Sequence, residues 1–254
     1  MHTGEEIVLV KYGSGSCVDD QGARIERLDY YAGQFAEQQR IYKRGVIAVV
    51  SGSIALAETF QPVAADEGKL ISQQMLAGEG SGAYMETWRQ ALRRQQLRSL
   101  GVVVTHHEIE DKEERGQLLR TLEDTMLAQW VSLINENDSL SDIEIAQLVY
   151  GGDNDGLAAH VAQLVKAEHV CLMTEEAGLK DEHDQVVETV TRENAEWAIS
   201  LAREVSPQGR GGMKTKIEAG LKVAAYGGTA HIAAATTSIQ NVIEGKTGTH
   251  FPPQ

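Results

Sequence analysis

Lysines beside glycine-rich segments are among the residues that indicate a chemical role. Residues 11–16 read KYGSGS and follow an apolar run, so that Lys11 places a cation beside a flexible backbone. Because glycine has no side chain, successive N–H groups of such a turn can cradle phosphate oxygens. The spacing matches neither a Walker A loop nor G-x-G-x-x-G. A glycine–serine turn without a ligand is the alternative interpretation.

A second glycine-rich segment, residues 209–216, ends in two lysines and leads into a stretch of helical period. Lysines at the start of a helix oppose its dipole, so a bound anion is the natural compensation. The formal net charge of the chain is −14, and a polyanionic ligand therefore has to be held locally by lysines and backbone N–H groups. The same net charge argues against a nucleic-acid partner and against binding to an anionic membrane surface.

Two clusters of amide and carboxylate side chains are also candidates for ligand contacts. Residues 134–138 (INEND) come directly after an apolar run, and residues 151–155 (GGDND) open a helical stretch. Helix capping accounts for Asp153 or Asn154. It does not account for the first cluster, which predicts a binding site for a polar ligand.

A small-residue turn, residues 51–53 (SGS), follows another apolar run. We expect it to open a helix whose N-terminal N–H groups suit an anion. A nucleophile elbow is the competing interpretation, and the absence of the G-x-S-x-G pattern argues against it.

Short β-branched runs alternate with stretches of helical period, which is typical of a mainly parallel sheet with helices on both faces. We therefore predict an α/β fold, a three-layer αβα sandwich, in one domain over residues 1–254. Ligands of such sheets bind at the carboxyl ends of the strands, where the polar segments lie. A β-hairpin flap is predicted over residues 139–152. The predicted strands are 7–11, 46–50, 102–105, 131–135, 169–173 and 229–234, and the predicted helices are 24–44, 66–77, 82–99, 112–129, 155–166, 192–204 and 214–226.

The composition suits a globular protein of a reducing compartment. Apolar residues make up 42% and charged residues 24% of the 254 residues, enough for one substantial core. Cys17 and Cys171 both lie in or beside apolar runs, as small buried thiols do. Residues 1–6 are polar and acidic, unlike a signal peptide, and no apolar stretch is long enough to span a bilayer. We expect a cytoplasmic protein.

Taken in order along the chain, these segments resemble the glutamate 5-kinases of the amino acid kinase family. The resemblance runs from about Val8 to Phe251, and its most specific part pairs INEND with GDND and then GGMKTK. It implies the amino acid kinase fold. Many members carry a C-terminal PUA domain, and this chain is expected to comprise the kinase domain only. The segments that carry the resemblance are 11–14, 51–57, 110–113, 134–138, 152–155, Thr174, 211–216 and 248–251.

The resemblance implies phosphorylation of the γ-carboxylate of glutamate, the first step of proline biosynthesis, with ATP and Mg²⁺ as cofactors. A free carboxylate has a pKa of roughly 4.3, so it is ionised at neutral pH and needs no general base. The task is to bring two anions together and to stabilise the charge on the transferring phosphoryl group. The eight histidines show no ligand-like spacing, and no protein ligands to a metal are predicted.

The resemblance assigns a role to each matching residue. Lys11 contacts the transferring phosphate, Lys216 lies against the ATP phosphates, and Asp155 orients the two lysines, with a helix-capping carboxylate as the alternative. Lys214 is expected to be solvated. The predicted nucleotide-binding residues are Lys11, Gly13, Ser14, Thr174, Glu175, Gly211, Gly212, Met213 and Lys216, and the predicted substrate-binding residues are Gly52, Ser53, Asn135, Asp138 and Asn154.

The resemblance also implies partners. Glutamate and ATP are the expected ligands, glutamyl phosphate reductase is the expected pathway partner, and homo-oligomers are usual in the family. Two alternatives stay open: a divergent amino acid kinase that acts on another small carboxylate, and a non-catalytic regulator that binds an amino acid. The presence of Lys11, Asp155 and Lys216 argues against the second.

The sequence departs from the family pattern in two loops. The family's turn reads Ser/Thr-Ser-Gly-Ala, whereas residues 51–54 read SGSI, which aligns the expected serine with Gly52 unless Ser53 serves instead. On this alignment, Gly52→Ser is predicted to lower the KM for glutamate. In the loop after the fifth strand, Glu175 stands where the family usually has Asp, and Lys180 stands where an aromatic residue is usual.

Overall fold

The computed structural model describes residues 5–60, 69–140, 154–202 and 212–254. All but the first two residues of the predicted flap at 139–152 lie outside these ranges, as does the glycine-rich segment 209–216 up to Gly211. Within the described ranges, no helix has the length and apolar character needed to cross a membrane.

A seven-stranded sheet forms the centre of the molecule and contains all six predicted strands. Its strands are β1 (Ile7–Tyr12), β4 (Gly45–Val50), β5 (Ser99–Val104), β6 (Val131–Glu136), β7 (His169–Thr174), β8 (Thr229–Ala234) and β9 (Thr249–Phe251), and a separate hairpin is made by β2 (Val18–Asp19) and β3 (Gly22–Ala23). The order in the sheet is β5-β6-β4-β1-β7-β8-β9. All neighbours pair in parallel except β9, which runs antiparallel to β8.

Burial on both faces explains why the inner strands are continuous apolar runs. Every residue of β1, β4 and β6 is buried, because helices cover both sides of a parallel sheet. Successive side chains of a strand point to opposite faces. Val8 and Val10 therefore belong to one half of the core, and Ile7 and Leu9 belong to the other.

Helices form a layer on each face of the sheet. They are α1 (Ser14–Cys17), α2 (Ile25–Arg40), α3 (Ser53–Glu58), α4 (Lys69–Arg94), α5 (His106–Glu110), α6 (Lys112–Leu127), α7 (Asn154–Val165), α8 (Ala195–Leu201), α9 (Met213–Ala225) and α10 (Ile239–Ile243). The first four and α10 pack on one face, and α5 to α9 pack on the other. The predicted three-layer αβα fold is confirmed.

The two helices predicted at 66–77 and 82–99 are one continuous helix, α4. Glycine is unfavourable inside a helix, and the glycines at 78, 80 and 82 therefore favoured a break between the two predicted helices. A glycine is nevertheless retained inside a helix where the backbone of another segment packs closely against it. A Cβ atom built on Gly80 would overlap the carbonyl oxygen of Ser53. Gly80 therefore allows α4 to pack directly against the first turn of α3, while Trp88 and Leu92 of the same helix are buried in the core.

Candidate active site

Two lysines and one aspartate meet in the interior, and we call them the lysine–aspartate cluster. The Nζ atom of Lys11 lies 2.7 Å from Oδ1 of Asp155, and the Nζ atom of Lys216 lies 3.0 Å from Oδ2 of the same carboxylate. All three residues are buried, and Asp155 is 0% exposed. The fold thus brings together the three residues predicted to be catalytic.

Three chain segments converge to build this cluster. Lys11 lies near the carboxyl end of β1, Asp155 in the first turn of α7, and Lys216 near the start of α9. A carboxylate is favourable at the amino-terminal end of a helix, whereas an ammonium group is not. The carboxylate of Asp155 therefore supplies the negative charge that the position of Lys216 requires.

Thr215, which was not among the predicted site residues, contacts the carboxylate of Asp155. Its Oγ1 atom lies 2.9 Å from Oδ2 of Asp155 and 2.9 Å from the carbonyl oxygen of Gly212, either of which can accept its proton. The backbone N–H of Gly212 donates to the same Oγ1 at 3.1 Å. Thr215 therefore links Asp155 to the first residue before α9.

Electrostatics keep Asp155 ionised. Burial alone would raise the pKa of Asp155, but the ammonium groups of Lys11 and Lys216 hold that pKa well below its ordinary value. Both carboxylate oxygens face ammonium groups. Asp155 is therefore suited to orienting the lysines and not to accepting a proton as a general base.

Two of the predicted substrate-binding residues form a hydrogen bond with each other. The Nδ2 atom of Asn135, at the end of β6, donates to Oγ of Ser53 at 2.8 Å. Ser53 opens α3 as predicted, and both residues are buried. The Ser53 oxygen accepts this hydrogen bond, and its own O–H can donate to a ligand.

The backbone of Gly52 indicates a different register for the turn after β4. Its φ is +148°, and a Cβ atom built there would lie 3.1 Å from the Tyr84 ring and 3.1 Å from a methyl of Val18. Gly52 therefore fits the glycine of the Ser/Thr-Ser-Gly-Ala turn and not its serine, which moves Ser51 to the place of the serine. The expected gain from Gly52→Ser loses its basis, because any side chain at this position is strained.

Asp138 and Asn154, the other predicted substrate-binding residues, lie at the ends of neighbouring elements. Asp138 is half-buried in the turn after β6, and Asn154 is the first residue of α7. The Oδ1 atom of Asn154 is buried and has no hydrogen-bond partner among the residues that the structure describes. Such an acceptor suits a ligand that carries N–H donors.

Residues 13–16 follow β1 directly and comprise Gly13 and the first three residues of the short helix α1; we call them the glycine turn. A Cβ atom built on Gly13 or on Gly15 would meet no described atom within 4 Å. The space above the backbone of these glycines is therefore open to a ligand. Ser14 and Ser16 fall in the short helix α1.

The residues predicted for the nucleotide side fall into two groups. Thr174 ends β7, and the carboxylate of Glu175 beyond it contacts Ser16 and Arg27. Gly212 and Met213 begin α9. On the same helix, Lys214 is solvated as predicted, with its Nζ atom 4.0 Å from Glu218.

The sheet places these groups in a row. From β6 through β4 and β1 to β7, the strand ends carry Asn135, the turn at 51–53, Lys11 and Thr174. Neighbouring strands lie about 4.8 Å apart, so the row spans about 14 Å. A small polar ligand near β6 and a larger anionic ligand near β7 would therefore meet at Lys11.

Two tyrosines beneath this row were missed because their helical spacing is that of core residues. The hydroxyl of Tyr84 donates to the carbonyl of Ser51 at 2.8 Å, and the hydroxyl of Tyr31 donates to the carbonyl of Ser16 at 3.2 Å. Both rings are buried, and the Tyr31 ring stacks on that of Tyr12, with the ring centroids 4.0 Å apart. These two hydrogen bonds connect the turn at residues 51–53 and the glycine turn to the buried core.

Three histidines, of which His231 is buried and the other two are half-buried, form a second group, the histidine cluster, on β7, β8 and β9. The Nδ1 atoms of His231 and His250 are 2.8 Å apart, and the ring centroid of His169 lies 5.8 Å from that of His231. Nε2 of His231 is buried without a hydrogen-bond partner in the described ranges. Burial, followed by the nearby His250, lowers the pKa of His231 to about 3.

The described side chains do not offer a site for a free metal ion. Among them, no group of three or more His, Cys, Asp and Glu residues is arranged to hold one. Asp155 faces ammonium groups on both of its oxygens. Mg²⁺ is commonly carried by nucleotide phosphates with few protein ligands, and the open glycine turn with Lys11 and Lys216 fits such a phosphate chain.

Comparison with known sequences agrees with this geometry. A sequence model described as "Amino acid kinase family" matches residues 6–234. The chain is 34% identical over 248 residues to a glutamate 5-kinase of a Bradyrhizobium species, which covers 92% of this chain and 62% of that protein. It is 32% identical over 265 residues to glutamate 5-kinase 1 of Mesorhizobium japonicum, covering 97% and 66%. The chain thus spans less than two thirds of the length of these relatives.

Solved structures share the architecture. Carbamate kinase from Giardia lamblia bound to AMP-PNP matches with a TM-score of 0.69, covering 99% of this chain and 99% of that one. A crystal structure from Aeropyrum pernix K1 matches with a TM-score of 0.64. At 11% and 12% sequence identity, these likenesses concern the fold alone.

Proposed function

Because the chain belongs to the amino acid kinase family, we propose that it transfers the γ-phosphoryl group of ATP to the side-chain carboxylate of L-glutamate. The observation that carries the proposal is the lysine–aspartate cluster, with both ammonium groups within 3.0 Å of one buried carboxylate. The likeness to glutamate 5-kinases over nine tenths of the chain supports glutamate as the acceptor.

The reaction needs charge stabilisation and no proton transfer from the acceptor. An oxygen of the ionised glutamate carboxylate forms a bond to the γ-phosphorus, the bond from that phosphorus to the β–γ bridging oxygen breaks, and ADP leaves. We assign Lys11 to the transferring phosphoryl group and Lys216 to the ATP phosphates. Asp155 keeps both ammonium groups in place, and fixed charges of this kind stabilise a transition state without reorganisation.

The two ligands approach Lys11 from opposite sides of the strand row. We assign the nucleotide to the side of the glycine turn, Thr174 and the start of α9, including Gly211 to Met213. We assign glutamate to the side of β4 and β6. There the Asp138 carboxylate suits the ammonium group of glutamate, and the donor hydroxyl of Ser53 suits a carboxylate oxygen.

The remaining parts of the proposal concern the setting of the enzyme. Mg²⁺ would enter on the ATP phosphates and offset their charge. The product is an unstable acyl phosphate, so a glutamyl phosphate reductase is the pathway partner that we propose, and the family suggests a homo-oligomer. The free and buried thiols of Cys17 and Cys171 are in keeping with a reducing cytoplasm.

A coupled assay of ADP release tests the proposal. With MgATP we expect turnover with L-glutamate and at least tenfold lower kcat/KM with L-aspartate and N-acetyl-L-glutamate, because the site pairs charges with both ends of glutamate. Turnover only with another small carboxylate would favour a divergent kinase. Calorimetric binding of glutamate without any ADP release would favour a non-catalytic regulator.

A further inference from the structure

The glycine turn has little packing of its own. The positions above Gly13 and Gly15 are open to 4 Å among the described atoms, so these residues do not fix where the turn lies. Ser16, at the end of the turn, is only 2% exposed. The contacts of Ser16 therefore help to fix the position of the turn, together with the buried residues Tyr12 and Cys17 on either side of it.

Ser16 is held from two directions. Its carbonyl accepts a hydrogen bond from the Tyr31 hydroxyl at 3.2 Å, and its own hydroxyl donates to Oε1 of Glu175 at 2.8 Å. The same Oε1 atom accepts from a terminal nitrogen of Arg27 at 2.7 Å. Glu175 thereby ties the glycine turn to the end of β7 and to α2.

The length of the Glu175 side chain matters for this contact. The glutamate 5-kinases that the sequence resembles usually have aspartate at the position of Glu175, and the aspartate side chain is shorter by one methylene group. From the same backbone, an aspartate carboxylate would fall short of Ser16 by about one carbon–carbon bond, too far for a hydrogen bond. The glutamate of this chain therefore makes a tether that its shorter counterpart would not make.

A direct contact between Glu175 and a nucleotide is the competing role. A carboxylate repels a triphosphate, and this one already receives donors from Ser16 and Arg27. Burial raises the pKa of Glu175, but the hydrogen bonds from Arg27 and Ser16 and the charge of Arg27 together hold that pKa below its ordinary value. Its neighbours are thus protein groups that belong to the turn.

Resting on the proposed function, we infer that Glu175 is a positioning residue that holds the glycine turn, through Ser16, in the place where it receives the phosphates of ATP. Its effect on the nucleotide passes through Ser16. Arg27 fixes the carboxylate at the surface, where its charge is partly screened.

A double-mutant cycle separates this role from direct contact. Glu175→Asp keeps the charge and restores the residue usual in the family, but it removes the reach to Ser16; Ser16→Ala removes the other partner. We expect each variant to raise the Kd for MgATP about fivefold, the cost of one typical hydrogen bond, since the Glu175 carboxylate is partly exposed. The double variant should show no further loss, because both changes break the same contact.

The controls exclude a general loss of structure. Glu176→Asp alters the next residue, whose carboxylate lies 3.5 Å from the Lys180 Nζ atom at the surface, and it should leave the Kd unchanged. The KM for glutamate should stay within twofold in all variants. Additive losses, or an unchanged Kd in Glu175→Asp, would overturn the tether.

Calorimetry without an acceptor acid keeps the two proposals apart. If MgATP binding weakens as expected but no acid is phosphorylated, the tether stands and the proposed function fails. If glutamate is phosphorylated and the Kd for MgATP is insensitive to both changes, the function stands and the tether fails. Absence of MgATP binding in the unaltered chain would overturn both.

Discussion

The lysine–aspartate cluster and the histidine cluster each place ionisable groups in the interior, Asp155 in the first and His231 in the second, yet the two groups are accommodated in opposite ways. In the first, the Asp155 carboxylate lies within 3.0 Å of two ammonium groups, which keep it ionised. In the second, the nearest partner of His231 is another imidazole. No charge in the described ranges compensates a protonated His231, and burial keeps it neutral.

The difference shows what charge pairing makes possible. Groups buried with opposite charges keep the ionic form that can attract a phosphate, whereas groups buried among their own kind give up their charge. Two Nδ1 atoms 2.8 Å apart can share one proton but not two. The first cluster is therefore suited to a polyanionic ligand, and the second to packing at neutral pH.

The largest expected effect comes from breaking the compensation in the first cluster. Asp155→Asn leaves two buried ammonium groups without their carboxylate, and we expect the free energy of unfolding to fall by about 3–5 kcal/mol. Urea denaturation at pH 7 measures it. Asp184→Asn, which removes an exposed partner of Lys180, is the control and should change stability little. Equal stability of Asp155→Asn and the unaltered chain would show that the cluster is not held by charge.

The next largest effect concerns activity. Lys216→Met keeps the length of the side chain but removes its charge from the phosphate path, and we expect kcat with MgATP and glutamate to fall about 10²–10³-fold. Lys214→Met on the same helix is the matched control, because Lys214 is exposed. An undiminished kcat in Lys216→Met would refute the role assigned to this lysine.

The histidine cluster predicts a loss of stability in mild acid. The folded-state pKa of His231 is about 3 against an ordinary value of 6.5, so the unfolded chain binds more protons below pH 6.5. Stability is therefore complete above that pH and falls as the pH drops toward 3, by about 2 kcal/mol between pH 7 and pH 5. Asp155 has a lowered pKa and loses its contribution only at lower pH.

Urea unfolding of His231→Gln at both pH values checks this prediction. The difference between pH 7 and pH 5 should shrink by about the same 2 kcal/mol, since the group that gains a proton on unfolding is gone. His183→Gln, which changes an exposed histidine, should leave the difference as it was. An unchanged difference in His231→Gln would mean that other groups cause the acid sensitivity.

The smallest expected effect concerns the neutral contact between Ser53 and Asn135. Ser53→Ala removes the hydroxyl that accepts from Asn135, and we expect the KM for glutamate to rise about three- to fivefold with kcat nearly unchanged. Ser132→Ala, on the strand of Asn135, removes a buried hydroxyl that has no partner among the described residues and is the control. A KM equal to that of the unaltered chain would place Ser53 outside the acid site.

The sequence predicted the sheet well because its strands are buried on both faces. Runs such as 46–50 have no polar interruptions, and the predicted bounds differ from those of β4 by one residue. Elements of two to five residues were missed because so short a segment shows no hydrophobic period. Thus β9 was recognised only as part of a family motif, and the hairpin β2–β3 was not predicted.

Residue types and glycine spacing identified the members of the site, but not their contacts. That Asp155 serves both lysines was expected only from the family resemblance, because nothing in the local sequence around these three residues indicates that the fold brings them together. The bond from Ser16 to Glu175 joins residues 159 positions apart. Thr215 carries no charge and was missed for that reason.

The close approach of α4 to α3 at Gly80 has a consequence for attempts to raise the heat resistance of this protein. Replacing glycine by alanine inside a helix commonly gains about 1 kcal/mol. Gly82 has open space around it and accepts such a change, whereas at Gly80 the new methyl group would press on the Ser53 carbonyl. A Gly80→Ala change would therefore displace the first turn of α3, which is the segment proposed to receive the acid, and Gly82 is the better position for raising thermostability.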